Sequence, residues 1–165
     1  MGYYVRAFCT ASSPPPLQAV IDALAARGVA LSAEGVTPED LREADWEEAA
    51  IGFAPGQRPA LVTCDRQTGA HNVLREEVEQ FIEFVQDGPS SPERKRVIDH
   101  LRATKFIVAC RLPEGAGEDD DRGCAASRAF LSYFVSHCGG MIQADGRGFY
   151  DDDRILLAVG EPAEK

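Results

Sequence analysis

The sequence predicts an α+β protein: a pseudo-symmetric, ferredoxin-like sandwich of two related halves, each with a β-α-β unit, around a mainly antiparallel sheet. The first reason is a weak internal repeat. Near each end, an apolar run leads into an amphipathic helix and then into an eight-residue segment bounded by glycines, at 28–35 and at 139–146. The two segments also match at Leu31/Ile142, Ala33/Ala144 and Glu34/Asp145. A repeated unit of this kind predicts two equivalent halves.

The second reason is the alternation of strand and helix patterns along the first half. Pro14-Pro15-Pro16 ends a β-branched and aromatic run, and Thr37-Pro38 has the form of a helix start, with a capping hydroxyl before proline at the first helical position. Pro55-Gly56 suits the turn of a β-hairpin. The predicted elements are strand 2–11, helix 17–27, strand 29–33, a short helix from Thr37, and a hairpin of 49–53 with 60–64.

The second half continues the alternation. Apolar side chains at helical spacing, with four glutamates assigned largely to the opposite side, predict an amphipathic helix over 73–86. Gly88-Pro89-Ser90 ends it and marks a boundary between an N-terminal half, 1–88, and a C-terminal half, 89–160, which could still form one compact domain; 161–165 should fray. The further predicted elements are a helix from Ser91, strand 106–110, an acidic loop over 112–123, helix 125–137, strand 141–144, a loop over 145–153 and strand 154–159.

Composition excludes several classes of partner. The chain has 165 residues and a net charge of −10, which disfavours nucleic acids and anionic membranes because both require clustered Lys and Arg. Its sequence contains neither a signal-type leader nor an apolar run of about twenty residues, so we expect a cytoplasmic protein without a membrane partner. The five cysteines include no C-x-x-C pair and are expected to be reduced. No cofactor motif is present, and we expect no cofactor.

Two polar segments supply the candidate ligand-binding residues. One is the loop that links a strand to helix 73–86, where a helix N-terminus favours polar and anionic contacts. The other is the acidic, glycine-rich segment after strand 141–144. The simpler interpretation of the first segment is a helix cap at His71 or Asn72, and that of the second is a hairpin loop with solvated aspartates. The candidate residues are Asp65, Arg66 and His71 in the first segment and Asp145, Arg147 and Tyr150 in the second.

The second segment also permits a metal site. Carboxylates beside glycines can surround a hard cation, which prefers several flexible oxygen ligands. Asp145, Asp151 and Asp153 would be its ligands, although their spacing does not match an EF-hand. This alternative would make the protein a metal-dependent hydrolase.

The first strand–helix–strand unit resembles the opening of ACT-type regulatory domains. The resemblance covers about thirty residues: the strand, the proline-rich turn, Leu17–Leu24 and Gly28-Val29. The family's glycine in the turn is missing. The resemblance implies a ferredoxin-like fold that binds amino acids, often across paired copies.

The absence of any familiar catalytic motif favours a non-enzymatic module that binds a small molecule or another protein. We keep two alternatives from other classes. One is the metal-dependent hydrolase that uses the carboxylates of Asp145–Asp153. The other is a self-associating structural protein, a homodimer whose interface would be the strongly apolar final helix.

Overall fold

The computed structural model describes residues 3–52, 59–66, 73–112, 121–151 and 154–158, and within these ranges the chain forms eight strands and five helices. The strands are β1 (Tyr3–Cys9), β2 (Ser32–Glu34), β3 (Glu48–Gly52), β4 (Ala60–Arg66), β5 (Phe106–Leu112), β6 (Gly140–Ala144), β7 (Gly148–Asp151) and β8 (Arg154–Ala158). The helices are α1 (Leu17–Ala25), α2 (Pro38–Leu41), α3 (Val73–Gln86), α4 (Pro92–Arg102) and α5 (Asp121–Cys138). No helix in the described ranges is long and apolar enough to span a membrane.

All eight strands belong to one open antiparallel sheet, in the order β2-β3-β4-β5-β1-β6-β7-β8. The α+β class is therefore confirmed. β1 lies near the middle and pairs with β5 over its whole length, from Tyr3 opposite Leu112 to Cys9 opposite Phe106. Its other edge pairs with β6, where Arg6 lies opposite Gln143. The expected β3–β4 hairpin is also present, although its turn at 53–58 lies outside the described residues.

Helices cover both faces of the sheet, which gives three layers. We name the faces by their helices, the α1/α5 face and the α3/α4 face. β1 alternates between them because successive side chains of a strand point to opposite sides. The core of the α1/α5 face includes Val5, Ala7, Cys9, Leu17, Val20, Leu24, Phe130, Leu131 and Phe134. The core of the α3/α4 face includes Phe8, Ile107, Met141, Phe149, Leu74, Val78, Val85, Val97 and Leu101.

Local signals in the sequence account for several helix ends. The Thr37 side chain accepts a hydrogen bond from the Asp40 N–H at 3.1 Å, and Ser91 accepts one from the Arg94 N–H at 3.0 Å. Both caps satisfy backbone donors that an isolated helix start would leave free. Helix α3 has the predicted bounds of 73–86.

The pseudo-symmetric, ferredoxin-like arrangement is not confirmed. Both strand–helix–strand units exist, and α1 and α5 share a face. However, three strands separate β1 from β2 in the sheet, whereas β1 alone separates β5 from β6. The matched glycines do adopt similar conformations, with φ of 84° and 63° at Gly28 and Gly139 and of 72° and 76° at Gly35 and Gly146. The repeat in the sequence thus corresponds to similar turns and not to equivalent halves.

Two predicted loops contain regular structure. Strand β7 lies inside the expected loop 145–153, because its aromatic side chains find a core: Phe149 is buried on the α3/α4 face, and Tyr150 packs on the other. Helix α5 begins at Asp121, inside the expected loop 112–123. The division at residue 88 stays a prediction, and the sheet runs across it, since β1 pairs with β5 and β6 of the C-terminal half.

Candidate functional site

The most concentrated polar chemistry in the described part of the chain surrounds Arg6, on the α3/α4 face of β1. Its side chain is 15% exposed. Nη1 donates to Gln143 Oε1 at 2.7 Å and to Asp145 Oδ1 at 2.8 Å. Both partners come from the β6 edge, which the register brings beside Arg6. An arginine side chain can be buried to this extent only because hydrogen-bond acceptors, including a carboxylate, replace the water that it loses on folding.

Asp145 is fixed by several donors at once. Besides Arg6, its Oδ1 accepts from Gln143 Nε2 at 3.3 Å, and its Oδ2 accepts from the Tyr4 backbone N–H at 3.3 Å. The Asp145 backbone N–H in turn donates to the Tyr4 carbonyl at 3.1 Å. The carboxylate is therefore held in place by both β1 and β6.

Helix α3 completes the surroundings of the guanidinium. Glu77 Oε1 lies 3.4 Å from Arg6 Nε, and Phe81, one turn later on the helix, places its ring 5.1 Å from Arg6 Cζ. The ring of Tyr4 lies 4.9 Å from the same atom. Two aromatic rings and a carboxylate thus fix the guanidinium, through cation–π contacts and charge.

A third carboxylate, Asp65 at the end of β4, belongs to the same electrostatic environment. Burial raises the pKa of Asp65, an effect that Arg6 opposes and Glu47 reinforces. Burial also raises the pKa of Glu77, where Arg6 again opposes and Asp65 reinforces the shift. We call Arg6, Asp65, Glu77, Gln143 and Asp145 the Arg6 cluster. Glu77 and Asp145 contact the guanidinium, Asp65 acts on it through charge without a hydrogen bond or ion pair among the described residues, and the pKa values of Asp65 and Glu77 are both raised.

The sheet beside the cluster stays accessible. Toward the start of β1, a row of side chains crosses the α3/α4 face from Leu61 through Arg111 to Tyr4. Leu61 is 38% exposed, Arg111 is exposed and Tyr4 is half-buried. We call this row the ledge. The ledge ends at Tyr4, whose ring contacts Arg6.

The structure places one of the sequence-predicted ligand residues, Asp145, in direct contact with Arg6. Asp65 is on the same face of the sheet but lies at the level of Phe8, about four residues or ~13 Å along the strands from Asp145 and three strands across the sheet. It acts on the cluster through charge alone. Arg66 follows Asp65 on β4 and points to the α1/α5 face, where it donates to the Trp46 carbonyl. Tyr150 packs on that same face, and Arg147 is exposed in the turn before β7. His71 lies outside the described residues.

The two described residues of the predicted metal site, Asp145 and Asp151, do not lie close to each other. Asp151 lies at the far end of β7, about four residues or ~13 Å along the strands from Asp145. It pairs with Arg96 at 3.2 Å, whereas Asp145 pairs with Arg6. Asp153 lies outside the described residues. Among the described side chains, no group of three His, Cys, Asp or Glu residues could hold a metal ion.

The four cysteines whose side chains the structure describes carry no reactive signature. Cys9, Cys64, Cys110 and Cys138 are free and buried. Burial raises the pKa of each, in the case of Cys64 to about 11. Because the thiolate is the reactive form, these four thiols are suited to packing.

Sequence reasoning missed Arg6, Glu77 and Gln143, which are three of the five residues of the Arg6 cluster. A signal for Glu77 was present: it falls between Leu74 and Phe81 at spacings of three and four, on the inward side of α3. For Arg6, the available signal was its neighbours on the same face of β1, Tyr4 and Phe8. Aromatic side chains on that face are typical of a strand that helices cover on both sides.

Comparisons with known protein families, with curated proteins and with solved structures find no match. Function must therefore be inferred from the geometry of this chain.

Proposed function

We propose that the protein is a ligand-binding module and that the Arg6 cluster binds a small molecule carrying one or more ammonium groups. The observation that supports this proposal is the charge excess of the cluster. Glu77 of α3 and Asp145, which follows β6, contact a single guanidinium, Asp65 of β4 adds a third negative charge to the same electrostatic environment, and burial raises the pKa of Asp65 and Glu77.

An excess of partly buried negative charge costs folding free energy, because Asp65 and Glu77, unlike the well-partnered Asp145, lose more in hydration than they gain from Arg6. Folding alone gains nothing from this arrangement, and a glutamine at position 77 would hydrogen-bond Arg6 without the extra charge. Sites that bind ligands commonly keep groups that reduce stability in the free protein. A cation entering the cluster would supply the missing partner.

The position of the cluster favours a small ligand. The ledge offers an apolar side chain, an aromatic ring and a second guanidinium, from Leu61, Tyr4 and Arg111. An ammonium group beside Glu77 would lie next to Arg6, with the remainder of the ligand over the ledge. Asp65, about four residues or ~13 Å along the strands from the ledge, would attract the cation through charge. Because Arg111 is cationic, a ligand with an acidic group at its other end would gain a further contact.

The test is calorimetric titration of the full chain with 1,4-diaminobutane, lysine and leucine, with butyrate as the probe of opposite charge. Glu77→Gln should weaken amine binding about fivefold or more, since it removes the carboxylate beside Arg6, and Asp65→Asn, which removes a more distant carboxylate, should weaken it less. Glu83→Gln is the matched control: Glu83 is an exposed glutamate on the same helix. No saturable binding of the amines, amine binding that both cluster variants leave unchanged, or butyrate binding that the cluster variants weaken would refute the proposal.

A further inference from the structure

A concave site lies between α3 and α4 and is separate from the Arg6 cluster. It is a groove of about 350 Å³, and none of the Arg6-cluster side chains lines it. Its floor consists of Leu74, Val78 and Ile82 from α3 and Leu101 from α4. These residues belong to or pack against the core of the α3/α4 face, so the floor is apolar and firmly held.

The rim of the groove carries cationic groups in a chain that is otherwise strongly acidic. Arg75 belongs to the rim and lies 4.0 Å from Glu79, with both side chains more than half exposed. Such an ion pair is weak, and Arg75 can turn toward a ligand at little cost. Arg102, on the opposite wall, forms no ion pair with the residues that the structure describes.

We infer that this groove binds a small amphiphilic carboxylate, with its hydrocarbon chain on the α3–α4 floor and its acid group between Arg75 and Arg102. The apolar floor and the cationic rim are complementary to these two parts of the ligand. A ligand of the opposite charge would meet two guanidinium groups against the single carboxylate of Glu79.

The size of the groove supports a small molecule as its occupant. Small-molecule sites enclose roughly 300–1,000 Å³, a range whose lower end this groove reaches. A stable protein partner would need about 800 Å² of surface on each side and twenty or more residues. The groove is lined by eight described residues, which is too few for such an interface.

The experiment is a titration of the full chain with octanoate well below its micelle concentration, followed by amide chemical shifts and by calorimetry. Octylammonium has the same chain with opposite charge, and acetate has the same acid group without the chain. We expect saturable binding of octanoate with shifts at the groove residues of α4, no saturable binding of acetate, and no comparable shifts at Leu101 and Thr104 with octylammonium, which would bind at the Arg6 cluster instead. Equal shifts of these groove residues by octanoate and octylammonium, or no saturable binding of octanoate, would overturn the inference.

Substitutions in the groove test whether octanoate binds there. The double change Arg75→Gln and Arg102→Gln involves exposed side chains, so it should leave the fold intact and raise the dissociation constant of octanoate about fivefold. Arg27→Gln, at the end of α1 beyond the other face, should leave it unchanged and serves as the control. Octanoate affinity that the double variant does not alter, or that Glu77→Gln alters equally, would also overturn the inference. The binding at the Arg6 cluster is measured with different probes and variants, so either proposal can fail alone.

Discussion

At the scale of single residues, Arg6 determines the character of the α3/α4 face. Its guanidinium joins β1, β6 and α3 through two hydrogen bonds, one ion pair and two ring contacts. Every carboxylate of the cluster depends on that one positive charge. The same side chain therefore contributes to stability and sets the electrostatic potential of the proposed ligand site.

Replacing Arg6 with methionine should lower the free energy of unfolding by about 2–4 kcal/mol, because Asp145 and Glu77 would remain partly buried without their cation. Urea unfolding at neutral pH measures the change. Arg6→Lys keeps the charge but loses the two hydrogen bonds that Nη1 donates to Gln143 and Asp145. It should lower the free energy of unfolding by less than Arg6→Met. Equal stability of Arg6→Met and the unchanged protein would show that the cluster contributes nothing to folding.

The raised pKa of Glu77 predicts a pH-dependent effect of Glu77→Gln. A carboxyl group whose pKa is higher in the folded state than in the unfolded state destabilises the fold when ionised, and this penalty disappears as pH falls through the folded pKa. Glu77→Gln should therefore be more stable than the unchanged protein near pH 7, by up to about 1 kcal/mol.

The difference should shrink on acidification toward the ordinary carboxylate range. Unfolding curves of the two proteins at several pH values measure it, with Glu83→Gln as the exposed control. A stability difference that grows as pH falls would contradict the assigned cause of the pKa shift.

At the scale of elements, local sequence signals worked where a segment's conformation depends on its own residues. The caps at Thr37 and Ser91, the hairpin of β3 with β4 and the bounds of α3 all follow from short patterns. Prediction was less accurate where tertiary contacts determine the conformation of a segment. β7 was expected to be loop because its glycines and aspartates are typical of turns, while its burial depends on contacts of Phe149 with Phe8 and Phe81.

The cap of α4 gives a prediction at this scale. Ser91→Ala should lower stability by about 1 kcal/mol, since the Arg94 N–H would lose its acceptor at the helix start. Thermal unfolding monitored by circular dichroism would reveal it as a lower midpoint. Ser90→Ala is the matched control, because Ser90 is the exposed neighbour that precedes the cap. Equal losses for the two variants would mean that the hydroxyl of Ser91 does not cap the helix.

At the scale of the whole molecule, the order of strands could not be predicted from the sequence. The pairing of β1 with β5 and β6 joins residues more than a hundred positions apart, and local patterns carry no information on such neighbours. The same pairing assembles the proposed site. Asp65 and Asp145 were recognisable as polar residues at strand ends, but only the register places Asp145 against Arg6 and Asp65 in the same electrostatic environment.

The sheet order also predicts that the two halves fold together. A fragment of residues 1–88 contains β1 without either of its partners, since β5 and β6 lie beyond residue 88. Such a fragment should show no cooperative unfolding transition by circular dichroism, whereas the full chain should show a single one. A cooperative transition of the fragment alone would support two independent domains.

The central claim is that a ligand cation relieves the charge excess of the Arg6 cluster, and proton release on binding tests it most directly. A cation placed beside Glu77, in the electrostatic environment that Asp65 shares, should lower the raised pKa values of both, so that binding drives protons off them. Calorimetric titration with 1,4-diaminobutane, in buffers of different ionisation enthalpy between about pH 5 and 7, counts those protons; the diamine stays dicationic there. We predict proton release on binding to the unchanged protein and little or none in the Asp65→Asn, Glu77→Gln double variant. Binding without proton release, or with proton uptake, would contradict the account.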